Sequence, residues 1–357
     1  MISEVFINYT PLKNPVPITQ QDWSENVIPL VCTRTITFMH ENSIIDCIEG
    51  ILMQRTTFPV RVTIHDDASI DNTAKIINEY ETKYPKLIKA WYQKKNTGSL
   101  RTKDEKVRLR KSFYDLQIGK YIALCEGDDY WTDPYKLQKQ VDFMEKYQEC
   151  SLCFHRAEIK YENSNGKRSY TQDFNGIKFF PPERLFYEGG SSAPTASLLF
   201  HRDLSLEVPE WRRISPVGDM PLKMLLFLKG RIGFINEVMA VRRLGNKGSW
   251  NDRVRNDKNQ ELIYLERIIR MLNEFDKYTD GKYVNDVRNL VMGYDIRGLR
   301  LGRTKSVVLH SNDFSKLFNS AGLLQKFLIA LAKNFSPIIY KSPFLSKVWL
   351  KIFCKLS

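Results

Sequence analysis

Tyr121-Ile122-Ala123-Leu124-Cys125-Glu126-Gly127-Asp128-Asp129 is the stretch that decides the fold: five apolar residues run straight into four positions of which three are carboxylates. An apolar run of that length, ended by Gly and Asp, reads as a buried strand. Carboxylates crowded at the end of such a strand repel one another and lose hydration, so they need a cation or a cationic ligand to compensate them. The cluster reads as a metal site.

The pair Asp66-Asp67 repeats the arrangement after another β-rich run, Val60-Arg61-Val62-Thr63-Ile64. Two parallel strands ending in carboxylates at one sheet edge suit the crevice outside the carboxyl ends of the strands, where open α/β folds bind ligands. The expected ligand is anionic and metal-bridged.

Outward from these runs the hydrophobic period alternates. Residues 29–37 read as a strand and 42–54 as a helix with Ile44, Ile45, Ile48, Ile51 and Leu52 on one face. Residues 72–84 read as a helix capped by Asp71 or Asn72, 87–92 as a short strand, 103–117 as a helix, and 134–147 as a helix with Asp133 as N-cap and Pro134 at its first position. Strands alternating with helices predict an α/β fold, Rossmann-like, with a mainly parallel sheet flanked by helices. From Ser151 strands are expected at 151–160, 195–201, 231–235 and 238–243, with a helix at 219–228; this half should complete the sheet and shape the second substrate's site. Helices at 260–275, 283–301 and 317–334 follow. The expected organisation is an N-terminal extension (1–28), an α/β domain (29–255) and a helical C-terminal region (256–357).

With 357 residues and 43% hydrophobic content the chain can bury a sizeable core. Its net charge of +13 is unevenly spread: no Asp or Glu follows Asp313, whereas Lys316, Lys326, Lys333, Lys341, Lys347, Lys351 and Lys355 do. A one-sided basic tail points to a polyanionic surface, and the apolar residues between these lysines favour lipid over nucleic acid. The competing expectation for this tail is packing on the catalytic domain or a dimer interface. Residues 1–20 lack the basic start and apolar stretch of a signal peptide, and no window is long enough for a membrane span, so a cytoplasmic location is expected, peripheral on the inner face of the plasma membrane if the tail binds lipid. The six cysteines include a lone Cys150-x-x-Cys153 without a second pair in zinc spacing, and the five histidines show no ligand spacing; reduced thiols and no histidine metal site are expected.

Several ordered motifs between 29 and 250 make the chain resemble the inverting glycosyltransferases of family 2, which have the GT-A fold. Ile36-Thr37-Phe38-Met39-His40-Glu41 is similar to the family's strand-end Thr-Tyr-Asn, with Met39 in place of the usual Asn, and the resemblance gives Thr37 a donor-binding role. Asp66-Asp67-Ala68-Ser69-Ile70-Asp71-Asn72-Thr73 looks like the family's Asp-Asp-x-Ser-x-Asp-x-Thr signature, which implies that Asp67 accepts a hydrogen bond from a uracil imide. The acidic cluster looks like the DxD element, in which a carboxylate holds Mn²⁺ or Mg²⁺ against the diphosphate of a nucleotide sugar. Glu126 stands where the first Asp is usual and is expected to contact ribose or a metal-bound water; Asp128 is the expected metal ligand, and Asp129 either ligates the metal or orients the sugar.

Val217-Gly218-Asp219-Met220-Pro221-Leu222 stands ahead of a helix where the family places its catalytic base, which makes Asp219 the candidate base; capping that helix is the competing role. Glu237 to Arg243, followed by 245–250, resembles the strand and loop that close over the diphosphate, with Arg242 replacing a usual Tyr and Arg243 a candidate phosphate contact. Lys94, Lys95, Asn96, Gly98 and Arg101 occupy the position of a family loop that contacts nucleotide or donor sugar, and Asn96 and Arg101 are its binding candidates.

The resemblance implies a metal-dependent transfer of a sugar from a nucleotide-diphosphate donor, a UDP-sugar by expectation, to a glycan or lipid-linked glycan acceptor. Met39, Glu126 and Arg242 keep a second expectation open, a nucleotide-sugar-binding scaffold without turnover. A nucleotidyltransferase is disfavoured because no Gly-rich loop follows Thr37.

Overall fold

The computed structural model describes residues 8–97, 115–181, 193–245 and 256–301, apart from Glu25, Asn163 and Asn165, together with Arg184 and Val254. The expected helix at 103–117 and the basic stretch beyond 301 lie largely outside the described residues. The chain divides into two compact units: Met1–Pro182 with Gly190–Glu207 and Leu222–Gly248, and Glu183–Gly189 with Val208–Pro221 and Ser249–Ser357.

The first unit is built on one large sheet. After the short β1 (Val16–Pro17), the strands are β2 (Val31–Thr37), β3 (Arg55–Thr56), β4 (Val60–Asp66), β5 (Ile88–Tyr92), β6 (Tyr121–Leu124), β7 (Tyr130–Trp131), β8 (Cys150–Tyr161), β9 (Arg168–Tyr170), β10 (Phe179–Phe180), β11 (Leu199–His201) and β12 (Arg231–Leu244). Their order is β10-β12-β8-β11-β6-β2-β4-β5, with β7 on β12, β9 on β8, and β1 and β3 paired separately. The run β6-β2-β4-β5 is parallel, as is β8 with β12; β11 is antiparallel to both neighbours and joins the two parallel blocks. The sheet is therefore largely parallel, and the later strands complete it. The two strands expected at 231–235 and 238–243 are one strand, β12, carrying register shifts between Ile235 and Ala240.

Parallel strands are covered on both faces, which is why β6 is buried throughout and β4 nearly so. The helix Ile44–Leu52 covers part of the sheet with Ile44, Cys47, Ile48, Ile51 and Leu52. Ile45, expected on that face, is 46% exposed: at about 100° per residue it turns away from the stripe, and Cys47 fills the place one turn before Ile51. The helix Thr73–Lys83 starts where Asp71 Oδ1 accepts from Thr73 N at 3.0 Å, so Asp71 is the cap of the two candidates. Asp133 Oδ1 accepts from Tyr135 N at 2.7 Å, just ahead of the helix Lys136–Lys146.

In the second unit the helix Lys258–Tyr278, capped by Asp257, and the helix Val284–Arg300 form an antiparallel hairpin, turning at Asp280 and Gly281, both at positive φ. Trp211, on the short helix Glu210–Arg213, packs edge-on to Phe275 at 5.0 Å. Among the described residues no helix is long and apolar enough to cross a membrane.

Candidate active site

Register brings the acidic motifs together. Thr37 ends β2 beside Asp66 of β4, which lies beside Tyr92 of β5. Beyond the strands the pairing continues: Asp67 N donates to Thr37 O at 2.9 Å, Gln93 N to Asp66 O at 2.9 Å, and Gly127 N to Ile36 O at 3.0 Å. The turn 126–129 and the pair 66–67 thus flank the end of one strand, β2, at the carboxyl edge of the parallel block.

Asp67 is enclosed by the loop that follows β5. Its Oδ1 accepts from Thr97 N at 2.7 Å, Thr97 Oγ1 at 2.6 Å and Gln93 Nε2 at 2.7 Å, and Asn96 Nδ2 donates to Oδ2 at 3.1 Å. Asn96 therefore acts on Asp67; Lys94 and Lys95 are exposed, and Gly98 and Arg101 lie outside the described residues. Gln93 and Thr97 escaped the sequence reading, although a polar run directly after a strand at this edge was the available signal. His65 faces the Gln93 amide at 2.7 Å, and burial keeps its pKa below the usual value against the pull of Asp67 and Asp66.

The rest of the signature welds this edge to the loop after β2. Met39 N donates to Ser69 Oγ at 2.9 Å, His40 N to Thr73 Oγ1 at 2.9 Å, and Glu41 N to Asp71 Oδ2 at 3.2 Å. Burial alone would raise the Asp71 carboxyl, but hydrogen bonds from Thr73 and the Glu41 backbone hold it below its usual range. Met39 and Ala68 adopt φ of 60° and 62°, strained for residues with side chains and held by these bonds.

In the acidic turn the carboxylates differ. Asp129 is buried, its Oδ1 accepting from Arg243 N of β12 at 2.9 Å; burial, then the neighbouring Asp128 charge, push its pKa well up. Asp128 is half-buried, and no hydrogen bond or ion pair reaches its carboxylate from any described residue. Glu126 is also half-buried. Gly127 is required by close packing: a Cβ there would lie 2.7 Å from Thr37 Cβ and Oγ1 and 2.8 Å from His40 Nδ1. Thr37 is itself buried, and its Oγ1 has no partner among the described residues.

Arg243 holds this turn from β12. Its guanidinium donates to Asp128 O at 3.0 Å and Glu162 Oε1 at 3.1 Å, pairs with Asp46 Oδ2, and lies 4.5 Å from the centre of the Tyr130 ring. Asp46 and Glu162, distant in sequence, gave no advance sign of this. Arg242 is near enough to Asp129 for its charge to oppose that rise in pKa.

Among the described residues no three His, Cys, Asp or Glu side chains converge into a ready-made metal cage. The donors present, the half-buried carboxylates of Asp128 and Glu126, fit a hard divalent cation that takes its remaining ligands from water and phosphate. The described cysteines, Cys32, Cys47, Cys125, Cys150 and Cys153, are free and buried.

Asp219 belongs to the second unit and is the first residue of the helix Asp219–Lys229, whose residues from Leu222 on belong to the first unit; it is half-exposed, with Gly218 exposed before it and Met220 buried after it. Within the second unit its negative charge acts on the phenols of Tyr264 and Tyr294.

Residues 35–206 match the family described as Glycosyl transferase family 2. The chain is 34% identical over 224 residues to the uncharacterized protein Rv1520 of Mycobacterium tuberculosis, a match covering 61% of this chain and 59% of that protein, so it spans less than two thirds of the relative's length. A shorter match, 31% over 105 residues, covers 29% of this chain and 37% of UDP-Glc:alpha-D-GlcNAc-diphosphoundecaprenol beta-1,3-glucosyltransferase WfaP of Escherichia coli. S. aureus TarS 1-349 in complex with UDP-GlcNAc superposes with a TM-score of 0.53 at 13% identity, over 90% of this chain and 91% of that one. At that identity the likeness is one of fold, and the fold is GT-A.

Proposed function

Residues 35–206 belong to glycosyl transferase family 2, and from that premise we propose that this chain moves one sugar from a UDP-sugar to a hydroxyl of a glycan or lipid-linked glycan, with inversion. The observation that carries the reading is the meeting of two acidic motifs at the end of β2, one carboxylate caged and the other, Asp128, left without a partner among the described residues.

The caged carboxylate suits a base-recognition role. Asp67 Oδ1 is taken by Thr97 and Gln93, whereas Oδ2 carries only the Asn96 bond among those described and keeps acceptor capacity for a uracil imide. Thr37 and Glu126 border the same edge and would contact the donor. Asp128 would hold Mn²⁺ or Mg²⁺, which supplies positive charge to the departing diphosphate. Asp129 and Arg243 keep the turn in place, Arg243 from a position where its guanidinium is already engaged.

Asp219 would take the acceptor hydroxyl's proton while that oxygen bonds to the anomeric carbon and the bond to the diphosphate breaks on the opposite face. A carboxylate is a far weaker base than an alkoxide, so the proton moves late, once the new bond is largely formed. The donor and acceptor classes draw on WfaP, named for UDP-Glc and a diphosphoundecaprenol-linked sugar. A lipid-linked acceptor also suits the basic, apolar stretch after Asp313, which would keep the protein at the inner membrane surface.

The test is UDP release from UDP-glucose and UDP-GlcNAc by the full chain with GlcNAc-diphosphoundecaprenol in detergent. Release that requires acceptor and is abolished in Asp219→Asn is expected. Nucleotide binding without release from any sugar nucleotide would favour the scaffold reading, which the engagement of Arg243 by Asp46 and Glu162 keeps alive.

A further inference from the structure

The helical hairpin of the second unit carries two polar pairs across its helices. Glu261 and Tyr264 are three residues apart on Lys258–Tyr278, and Tyr294 and Arg297 three apart on Val284–Arg300, so each pair shares a helix face. Across the antiparallel hairpin they form two rungs: Arg297 is ion-paired to Glu261, itself only 5% exposed, and the Tyr264 hydroxyl bonds to the Tyr294 hydroxyl. The Tyr294 hydroxyl donates to Met220 Sδ at 4.0 Å, one residue along from Asp219.

Each phenol has one proton: Tyr264 gives its proton to the Tyr294 oxygen, and the Tyr294 proton points to Met220 Sδ, a weak acceptor at 4.0 Å beside Asp219. Burial first, and then the negative charge of Asp219, raise the pKa of Tyr294; burial, the paired phenol and Asp219 do so for Tyr264. Both therefore keep their protons at neutral pH. On the side of Gly218 the space is open, since a Cβ there would meet nothing described within 4 Å.

We propose that Tyr294, backed by Tyr264, is a positioning residue for Asp219: its hydroxyl holds one carboxylate oxygen so that the other is presented to an acceptor hydroxyl. The inference rests on reading Asp219 as the base, and gives that base the third, orienting group that activated pairs commonly have. The Glu261–Arg297 rung keeps the two helices in register beneath it.

Contact and function are tested separately. In NMR of ring-labelled tyrosine, the Tyr294 Cζ resonance, assigned through Tyr294→Phe, should shift in Asp219→Asn; a resonance that stays put overturns the inference without reference to turnover. In the transfer assay, Tyr294→Phe should lower kcat by about ten- to a hundredfold, the scale of a misplaced catalytic group, with donor KM and UDP-induced stabilisation unchanged. Tyr264→Phe should do the same more weakly. In Asp219→Glu, whose longer arm already moves the carboxylate, Tyr294→Phe should cost little more, whereas losses that simply multiply would mark an independent, structural role. Full transfer by Asp219→Asn overturns the base reading and the inference with it. An inactive Asp219→Asn beside an unimpaired Tyr294→Phe overturns the inference alone.

Discussion

The backbone N–H of Arg243 donates to Asp129 Oδ1 at 2.9 Å, so one oxygen of the acidic turn is committed to holding β12 against it. Its neighbour Asp128 has no such tie among the described residues, and the two carboxylates should respond to substitution in opposite ways.

Asp129→Ala leaves a buried donor without its acceptor, which should cost about 1–3 kcal/mol of stability in urea unfolding. Asp128→Asn touches a half-buried side chain with no partner among those described and should leave stability within about 0.5 kcal/mol, while removing metal-dependent nucleotide binding. Equal losses of stability would contradict this division.

Gly127→Ala places a methyl group 2.7 Å from Thr37 and should destabilise by about 1–3 kcal/mol, as overpacking does. Because the backbone of the turn must shift, nucleotide-induced stabilisation should weaken as well. A variant as stable as wild type, with unchanged binding, would show that the turn is not seated on β2 as described.

Lys136 is wholly buried, 3.9 Å from the centre of the Trp131 ring and bonded to Gln140 Oε1 at 2.7 Å; burial lowers its pKa from 10.5 to about 7. Between those values the unfolded chain holds a proton that the folded chain has released, so this residue makes stability rise with pH from about 7 towards 10.5, with its full cost present below 7. Lys136→Met should stabilise the protein near pH 6 by about 1–2 kcal/mol and flatten the rise. Urea unfolding at several pH values checks both, and an unchanged slope would show that the ammonium is not desolvated in the fold.

What the sequence made legible was the ordered part: apolar runs that end in Asp, and helices whose stripes repeat every three or four residues. Asp67 and Asp128 were visible because each follows a strand. The Gln93 and Thr97 bonds to Asp67 were not, because they depend on a loop folding back. The pairing of Arg243 with Asp46, 197 positions away, and the rungs Tyr264 to Tyr294 and Glu261 to Arg297 exist only once distant segments pack. Ile45 shows the limit within one helix, where apolar character alone did not say which way a residue points.

Asp128 is proposed to support metal-dependent binding of a uridine diphosphate at the end of β2. The most direct test is the thermal stability of wild type and Asp128→Asn against UDP, GDP and CMP, each with and without Mn²⁺. A ligand at about a hundred times its Kd adds about 2.7 kcal/mol, enough to read as a shift in Tm. A shift with UDP and Mn²⁺ together, absent without the metal and absent in Asp128→Asn, is expected; a shift that persists in the variant, or none with any nucleotide, would overturn this role for Asp128.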